Sequence, residues 1–188
     1  MDFKKIGVSS PQQLFNFMKK NLNYGFTFKG KVFTDDKPDF NDNMNKFYKL
    51  RVGEDFIKSG YGVCWDFCEF ERLFFEQFNI PHECYFIVNF LTREQGGPTH
   101  TFLLFNKNNL WYWIEYAWFN YRGIWQYNSK QEALSDIIDK FITLNAKKYN
   151  HTELYKTSKV NKRLNTFAFC EHCFNGEKLD INKFKIKK

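Results

Sequence analysis

One stretch, residues 60–78, constrains the fold of this chain more than any other. It begins with Gly60 and Gly62, which allow backbone angles that other residues rarely adopt. From Val63 onward, apolar residues recur every three or four positions, which is the period of an amphipathic α-helix. The pattern ends before Pro81, because proline disfavours helix at the residue that precedes it. The sequence therefore predicts a glycine loop that leads into a long helix at residues 63–78.

Cys64 stands where this loop becomes the helix. A thiol at a helix N-terminus lies at the positive end of the helix dipole, which stabilises the thiolate. The thiolate is the nucleophilic form, so this is a suitable position for a catalytic cysteine. The alternative is that Cys64 is a small buried residue at a helix start, as free cysteines commonly are. Asp66, in the first turn, is interpreted as a helix-start acid and not as a catalyst.

The remaining pattern predicts one domain over residues 1–188. The chain is long enough for a sizeable core, and 24 phenylalanines supply much of its volume. Further helices are predicted at residues 11–22, 44–50, 54–58 and 130–144, with helical spacing again at 167–174. A weak strand is predicted at 26–33, a bend at 122–124, loop or frayed helix at 147–162, and a mobile basic tail at 183–188.

Three strand-like runs follow the long helix, at residues 84–91, 99–105 and 110–118. Their short connections imply antiparallel pairing, so we expect an α+β fold with the helix packed on an antiparallel sheet. A hairpin turn centred on Lys107 and Asn108 would place His100 opposite Glu115. Directly opposed side chains touch, so the carboxylate could orient the imidazole and stabilise its protonated form.

If the helix N-terminus meets this hairpin, Cys64 faces His100 and a three-residue catalytic arrangement results. His100 alone is better explained as a satisfied strand histidine, and Glu115 alone as an exposed strand carboxylate. Their order and spacing after Cys64 favour the joint interpretation. Backbone N–H groups at the helix start would hold the oxyanion, together with one side-chain donor, either Tyr61 or Trp65.

The motifs that carry these residues, GVCWD at 62–66, PTHTF at 98–102 and WIEYAW at 113–118, resemble the transglutaminase-like superfamily of papain-type cysteine enzymes. The resemblance covers about residues 58–127 and is closest to small bacterial and phage members. It implies a transglutaminase-like fold, with Cys64 as nucleophile, His100 as base and Glu115 as the acidic residue that orients the base. Aspartate is usual at the third position, so strand pairing must accommodate the extra methylene of glutamate.

The resemblance also implies thioester chemistry on an amide or peptide bond, followed by hydrolysis or by transfer to an amine. The expected partner is therefore a peptide or protein substrate. The superfamily includes members that have lost activity, so an inactive module that binds peptide or protein is the alternative function. Fold analogy does not choose between these functions.

Aromatic residues at 111–125 either face the core or line a cleft beside the candidate triad. In this stretch, Trp118 and Arg122 are the candidates for lining the cleft. Arg122 could bind the carboxylate of a substrate or partner, or pair with a structural acid such as Asp66 or Glu69.

The five cysteines point to a reducing compartment, because their number is odd and the first residues lack a secretory signal. We therefore expect a cytoplasmic protein, and no run is long and apolar enough to span a bilayer. Cys170 and Cys173 form a CxxC pair that could be half of a zinc site with His82 and Cys84. The helical apolar spacing around Cys170 explains the pair without metal, so no metal or cofactor is expected.

The net charge of +7 comes from scattered lysines and arginines. A basic surface that binds nucleic acid is a third hypothesis, and steeply salt-dependent binding would be its signature. No nucleic-acid-binding motif accompanies the charge, so this hypothesis ranks below the other two. The sequence makes no prediction of oligomeric state.

Overall fold

The computed structural model describes residues 1–90, 97–145, 151–160 and 162–184. In this part of the chain the helices are α1 (Pro11–Asn21), α2 (Phe40–Phe47), α3 (Glu54–Ser59), α4 (Cys64–Gln77), α5 (Lys130–Asn145) and α6 (Thr166–Phe174). The strands are β1 (Asn23–Tyr24), β2 (Phe26–Phe28), β3 (Lys31–Phe33), β4 (Tyr61–Gly62), β5 (His82–Phe90), β6 (Thr99–Lys107), β7 (Leu110–Glu115), β8 (Gly123–Tyr127), β9 (His151–Thr157) and β10 (Glu177–Leu179). Short 3-10 turns cover Lys4–Ile6, Phe119–Tyr121 and Ile181–Lys183.

A six-stranded antiparallel sheet in the order β10-β9-β5-β6-β7-β8 forms the centre of the fold. Because side chains alternate along a strand, the sheet presents two apolar faces. Leu103 and Phe105 of β6 join the core cluster that contains α4 and α1 residues, whereas Phe102 and Leu104 join the cluster that contains α5 residues. The predicted α+β class, with a long helix on an antiparallel sheet, is therefore confirmed.

Helix α4 confirms the strongest sequence prediction but is buried more completely than one amphipathic face implies. Its buried residues include Asp66, Glu69, Glu71 and Arg72 besides the aromatic ones. The reason is that α4 takes part in two core clusters. One lies against α1 and β6, and the other contains residues of β2, β5 and α6. Charged side chains on this helix therefore face protein and need partners within it.

The β6–β7 register differs from the prediction. Lys107 pairs with Leu110, so the turn residues are Asn108 and Asn109, whose φ values of 54° and 63° are those of a two-residue hairpin turn of type I′. The predicted turn centre was wrong by one residue. In the observed register Glu115 follows Ile114, the partner of Leu103, so Glu115 is not directly opposite His100. A one-residue move of the turn centre shifts the pairing by two residues, which leaves both side chains on one face.

Several local predictions are corrected by long-range strand pairing. The predicted strand at 26–33 is the hairpin β2–β3, which turns at Lys29 and Gly30 with positive φ. The predicted bend at 122–124 gives way to β8, and the predicted loop at 147–162 contains β9 between β5 and β10. Leu91, part of the predicted turn at 95–98, residues 147–150 and residues 185–188 of the tail lie outside the described residues.

A two-residue parallel ladder between β1 and β4 was not predicted. It pairs Tyr24 with Gly62, two positions before α4 begins. A side-chain carbon at Gly62 would lie 2.3 Å from the Phe56 ring and 2.7 Å from Asp66, so any larger residue would force a neighbouring side chain to shift. The ladder attaches the start of α4 to the segment that follows α1.

Candidate active site

His100 and Glu115 form a buried pair at one end of the central sheet. His100 is the second residue of β6 and Glu115 is the last of β7. The imidazole Nε2 lies 2.7 Å from the carboxylate Oε2. The other carboxylate oxygen accepts a hydrogen bond from the backbone N–H of Trp118 at 2.7 Å. Because both oxygens are engaged, the carboxylate has one orientation and the ring is held by Nε2, which leaves Nδ1 for another partner.

Cys64 lies close enough to this ring to raise its pKa. It is the first residue of α4 and is 6% exposed. Burial lowers the pKa of His100, but the charge of Glu115 and the hydrogen bonds with Cys64 and Glu115 outweigh burial and raise the pKa from 6.5 to about 10. The imidazole is therefore protonated at neutral pH. A protonated ring between a carboxylate and a sulfur can stabilise a thiolate and can donate a proton to a leaving group.

His100 and Glu115 meet beyond the end of the β6–β7 ladder, where Cys64 lies near enough to the imidazole to raise its pKa. The β6–β7 ladder ends at Leu103 and Ile114, so β6 extends beyond β7 at His100. Glu115 thus reaches His100 along a diagonal, and diagonal neighbours are farther apart than direct ones. The additional methylene of glutamate suits this longer separation. The structure therefore brings together the three residues that the sequence singled out, through a register that the sequence did not predict.

Two aromatic rings enclose the imidazole. The Phe102 ring lies parallel to it at a centroid distance of 6.3 Å, and the Trp118 ring meets it edge-on at 5.1 Å. Trp118 in turn contacts Tyr121 and Phe141. Trp118, predicted as a cleft residue, therefore covers His100 with its indole and holds Glu115 with its backbone. His100 is only 7% exposed in consequence.

Asp66 secures the residue before the cysteine. Its buried carboxylate accepts hydrogen bonds from the Tyr48 hydroxyl at 2.9 Å, the Arg51 N–H at 2.7 Å and the Val63 N–H at 2.7 Å. Burial raises the pKa of Asp66 to about 7, and these hydrogen bonds oppose the rise. Asp66 is thus joined to the start of α4, where a helix-start acid was expected.

Neither predicted side-chain donor for an oxyanion hydrogen-bonds the triad. The Trp65 ring stacks on Phe169 at 4.2 Å inside the core, and its indole N–H is sealed from solvent without a partner among the described residues. Tyr61 is half-buried on β4, in register with Asn23. In the described part of the chain, neither the Tyr61 hydroxyl nor the Trp65 indole N–H has a hydrogen-bond partner.

Arg122 lies on the aromatic segment after β7. Its Nε donates to the carbonyl of Tyr116 at 2.6 Å, and its guanidinium stacks 4.3 Å from the Tyr116 ring and 5.0 Å from the Phe119 ring. Pairing with Asp66 or Glu69, one of the two predicted roles, is wrong: Glu69 pairs with Arg72 at 3.2 Å, and Asp66 is occupied as described. Recognition of a substrate carboxylate stays a prediction.

Tyr24 is the residue near the site that the sequence did not single out. Burial, then the charges of Cys64, Asp35 and Glu115, raise the pKa of its phenol well above 10. Its ring therefore lies within the electrostatic field of both Cys64 and Glu115. A tyrosine between an asparagine and a glycine after a helix has no local sequence signal for such a position, because the β1–β4 ladder creates it.

The other four cysteines take no part in the His100–Glu115 pair, although Cys170 and Cys173, whose pKa values are raised mainly by burial, lie near enough to Cys64 for its charge to add to the rise. A hydrogen bond with Cys84, together with burial, raises the pKa of the Cys68 thiol well above its usual range. Cys170 and Cys173 lie on α6, the first half-buried and the second buried, and all five cysteines are free. Within the described residues, no group of three or more His, Cys, Asp or Glu side chains could hold a metal ion.

Comparisons with protein-family models, with curated proteins and with solved structures find no significant match to this chain. Among the helices that the structure describes, none combines the length and the apolar composition that crossing a membrane requires.

Proposed function

We propose that this protein is a cysteine enzyme of transglutaminase-like type that acts on amide or peptide bonds through a thioester. Cys64 is the nucleophile, His100 transfers protons and Glu115 orients His100. The observation that carries the proposal is the imidazole held at Nε2 by Glu115 at 2.7 Å, with its pKa raised despite burial by both Glu115 and the nearby Cys64 side chain. A nucleophile, a base and a group that orients the base are the elements of covalent acyl transfer.

The order of the elements supports a transglutaminase-like fold for the same region. Helix α4 begins at the cysteine, and the antiparallel strands β5, β6 and β7 follow it along the chain. The last two carry His100 and Glu115. This order is the one that the sequence motifs imply, and the six-stranded sheet provides the support on which α4 packs.

In the proposed reaction the Cys64 thiolate attacks the amide carbonyl carbon beside protonated His100. The S–C bond forms while the carbonyl electron pair moves to oxygen. When this intermediate collapses, the C–N bond breaks, and the imidazolium gives its proton to the leaving nitrogen. A water molecule or an amine then attacks the thioester, loses a proton to His100 and releases the acyl group, which returns the thiolate and imidazolium.

Acyl-enzyme formation tests this proposal. We expect p-nitrophenyl acetate to release a burst of nitrophenolate and to leave an acetyl group on Cys64, detected by mass spectrometry of the intact protein and its peptides. Cys64→Ala should abolish both signals, whereas Cys170→Ala, which removes a half-buried thiol on α6, should keep both. At neutral pH, iodoacetamide should label Cys64 faster than Cys84. Equal labelling of the two cysteines without an acyl adduct would exclude the enzyme.

An inactive module for peptide or protein binding is the second candidate. The observation that favours it is the burial of both reacting residues, with the Trp118 ring 5.1 Å from His100. Trp118→Ala would uncover the imidazole. If wild type forms no acyl adduct but Trp118→Ala does, Trp118 blocks an otherwise competent site. If neither forms the adduct while a peptide still binds, the protein is a binding module.

A further inference from the structure

The β1–β4 ladder places Tyr24 beside the loop that carries the nucleophile. The Asn23 N–H donates to the Gly60 carbonyl at 2.8 Å, and the Gly25 N–H donates to the Gly62 carbonyl at 3.0 Å. Tyr24 lies between these two bonds and is in register with Gly62. Because successive side chains in a strand point to opposite faces, Tyr24 and Tyr61, one register position apart, lie on opposite faces of the ladder.

The Tyr24 ring also joins the two core clusters that meet at the start of α4. It packs against the cluster that contains Cys64, and against the one that contains Phe67 and Tyr116. The ring centroid is 6.3 Å from that of Phe40, so a second aromatic ring packs against it. The residue nevertheless stays half-buried, unlike Trp65, which is 2% exposed.

The chemistry of the Tyr24 hydroxyl suits a donor. Burial and the nearby Cys64 and Glu115 raise the pKa of the phenol, so the hydroxyl keeps its proton at neutral pH. Among the described residues no hydrogen-bond partner is found for this hydroxyl, and it is not one of the polar atoms sealed from solvent. A ligand oxygen can therefore accept its hydrogen bond without displacing another protein group.

From this placement we infer that the Tyr24 hydroxyl is the side-chain donor to the oxyanion in the proposed reaction. The inference rests on the proposed function. As the S–C bond forms, negative charge moves from sulfur to the carbonyl oxygen of the acyl group. Tyr24 donates a hydrogen bond to that oxygen and keeps its proton. The first N–H groups of α4 have no partner within the helix and supply the second donor.

Tyr24→Phe tests the inference because it removes one oxygen and keeps the ring. We expect the acylation rate with p-nitrophenyl acetate to fall about 100-fold, the usual loss for one oxyanion donor. We also expect the rate of Cys64 alkylation by iodoacetamide to be unchanged, because alkylation creates no oxyanion. Tyr112→Phe, which removes an exposed hydroxyl bonded to Gln126, is the matched control and should leave both rates unchanged.

The outcomes separate this inference from the proposed function. If wild type forms the acyl adduct and Tyr24→Phe forms it at the same rate, Tyr24 is not the donor and the enzyme stands. If both rates fall together in a variant with a native unfolding midpoint, Tyr24 acts on the thiol, which also overturns the inference. A large loss of acylation rate in Tyr61→Phe alone would assign the donor to Tyr61.

If Tyr24→Phe fails to fold, a second pair of variants tests the inference. Tyr24→Gln, which restores a donor, should acylate faster than Tyr24→Leu, and equal rates would overturn the inference.

Discussion

The protonation of His100 depends on its two polar neighbours. Burial alone would favour the neutral ring, since removing a cation from water costs free energy. The Glu115 carboxylate and the Cys64 side chain reverse that preference and raise the pKa of His100 to about 10. The protonated state of His100 thus depends on both neighbours, so a change in either one should be measurable as a change in the pKa of His100.

Glu115→Gln should lower the pKa of His100 by about 1–3 units, the usual effect of removing an adjacent opposite charge. The amide keeps the size of the side chain, so the change reports charge. NMR titration of the ring nitrogens provides the measurement. Glu132→Gln is the control, because it makes the same change at an exposed carboxylate that accepts the Asn128 N–H and is not among the groups that shift the pKa of His100. An unchanged His100 titration in Glu115→Gln would contradict the assigned cause.

The His100–Glu115 pair should also make the free energy of unfolding depend on pH in alkaline solution. The pKa of His100 is about 10 in the folded protein and 6.5 in the unfolded one, so the folded state binds more protons between these values. The contribution to the free energy of unfolding is therefore complete below pH 6.5 and is lost as pH rises towards 10. We expect urea unfolding to show this decline in wild type and a weaker one in Glu115→Gln. Equal slopes would contradict it.

Asp66 stabilises the segment that precedes Cys64. Asp66→Ala would leave the Val63 N–H, the Arg51 N–H and the Tyr48 hydroxyl without their acceptor. We expect a loss of ~3 kcal/mol in the free energy of unfolding, since each buried group left unpaired is costly. Asp36→Ala, which removes an exposed carboxylate beside Lys37, should change the free energy of unfolding little. Similar unfolding curves for both variants would rule out this role.

At the scale of elements, α4 begins where it does because two segments fit closely around Gly62. The parallel ladder with β1 holds the loop, and the Asp66 carboxylate accepts the N–H of the residue before Cys64. Neither contact is part of the repeating apolar pattern of α4. The position of Cys64 therefore depends on packing at the helix start as much as on the helix itself.

Gly62→Ala should destabilise the protein more than Gly7→Ala. A side-chain carbon at Gly62 would lie 2.3 Å from the Phe56 ring and 2.7 Å from Asp66, whereas at Gly7 it would meet nothing within 4 Å. Overpacking typically costs ~1–3 kcal/mol, and the positive φ of Gly7 adds a strain of about 1 kcal/mol to its own substitution. Thermal unfolding of the two variants gives the comparison. A larger loss in Gly7→Ala would show that the Phe56 and Asp66 side chains move aside.

At the scale of the whole molecule, helix α6 completes the core cluster that contains Cys64. Phe169 of α6 is 3% exposed and stacks on Trp65, the residue after Cys64, at 4.2 Å. The chain thus returns from its C-terminal part to the start of α4. Contacts made between such distant parts of the chain decide how tightly the candidate site is supported.

Phe169→Ala should therefore cost ~3–5 kcal/mol of stability and slow the alkylation of Cys64, because it leaves a cavity against Trp65. Phe167→Ala, on the same helix but 68% exposed, is the matched control and should change stability by less than about 0.5 kcal/mol. Chemical denaturation measures the loss of stability, and the kinetics of reaction with iodoacetamide measure the rate of Cys64 alkylation. Equal losses in the two variants would exclude a supporting role for α6.

The sequence alone determined the features that depend on neighbouring residues. The periodic apolar residues predicted α4, α1 and α5, and the short connections predicted antiparallel pairing of β5, β6 and β7. Cys64, His100 and Glu115 could be singled out because they lie on these elements in a suitable order. Apolar period and turn composition are local properties, so a linear reading recovers them.

Only the tertiary structure decided the features that depend on distant residues. The hairpin register, the placement of β9 beside β5, the burial of Trp65 against α6 and the position of Tyr24 beside Gly62 all come from pairing or packing between separate segments. The free energy of these contacts belongs to both segments together and leaves no periodic pattern in either one. Cys64, His100 and Glu115 could therefore be named from the sequence as candidates, whereas their surroundings could be read only from the folded chain.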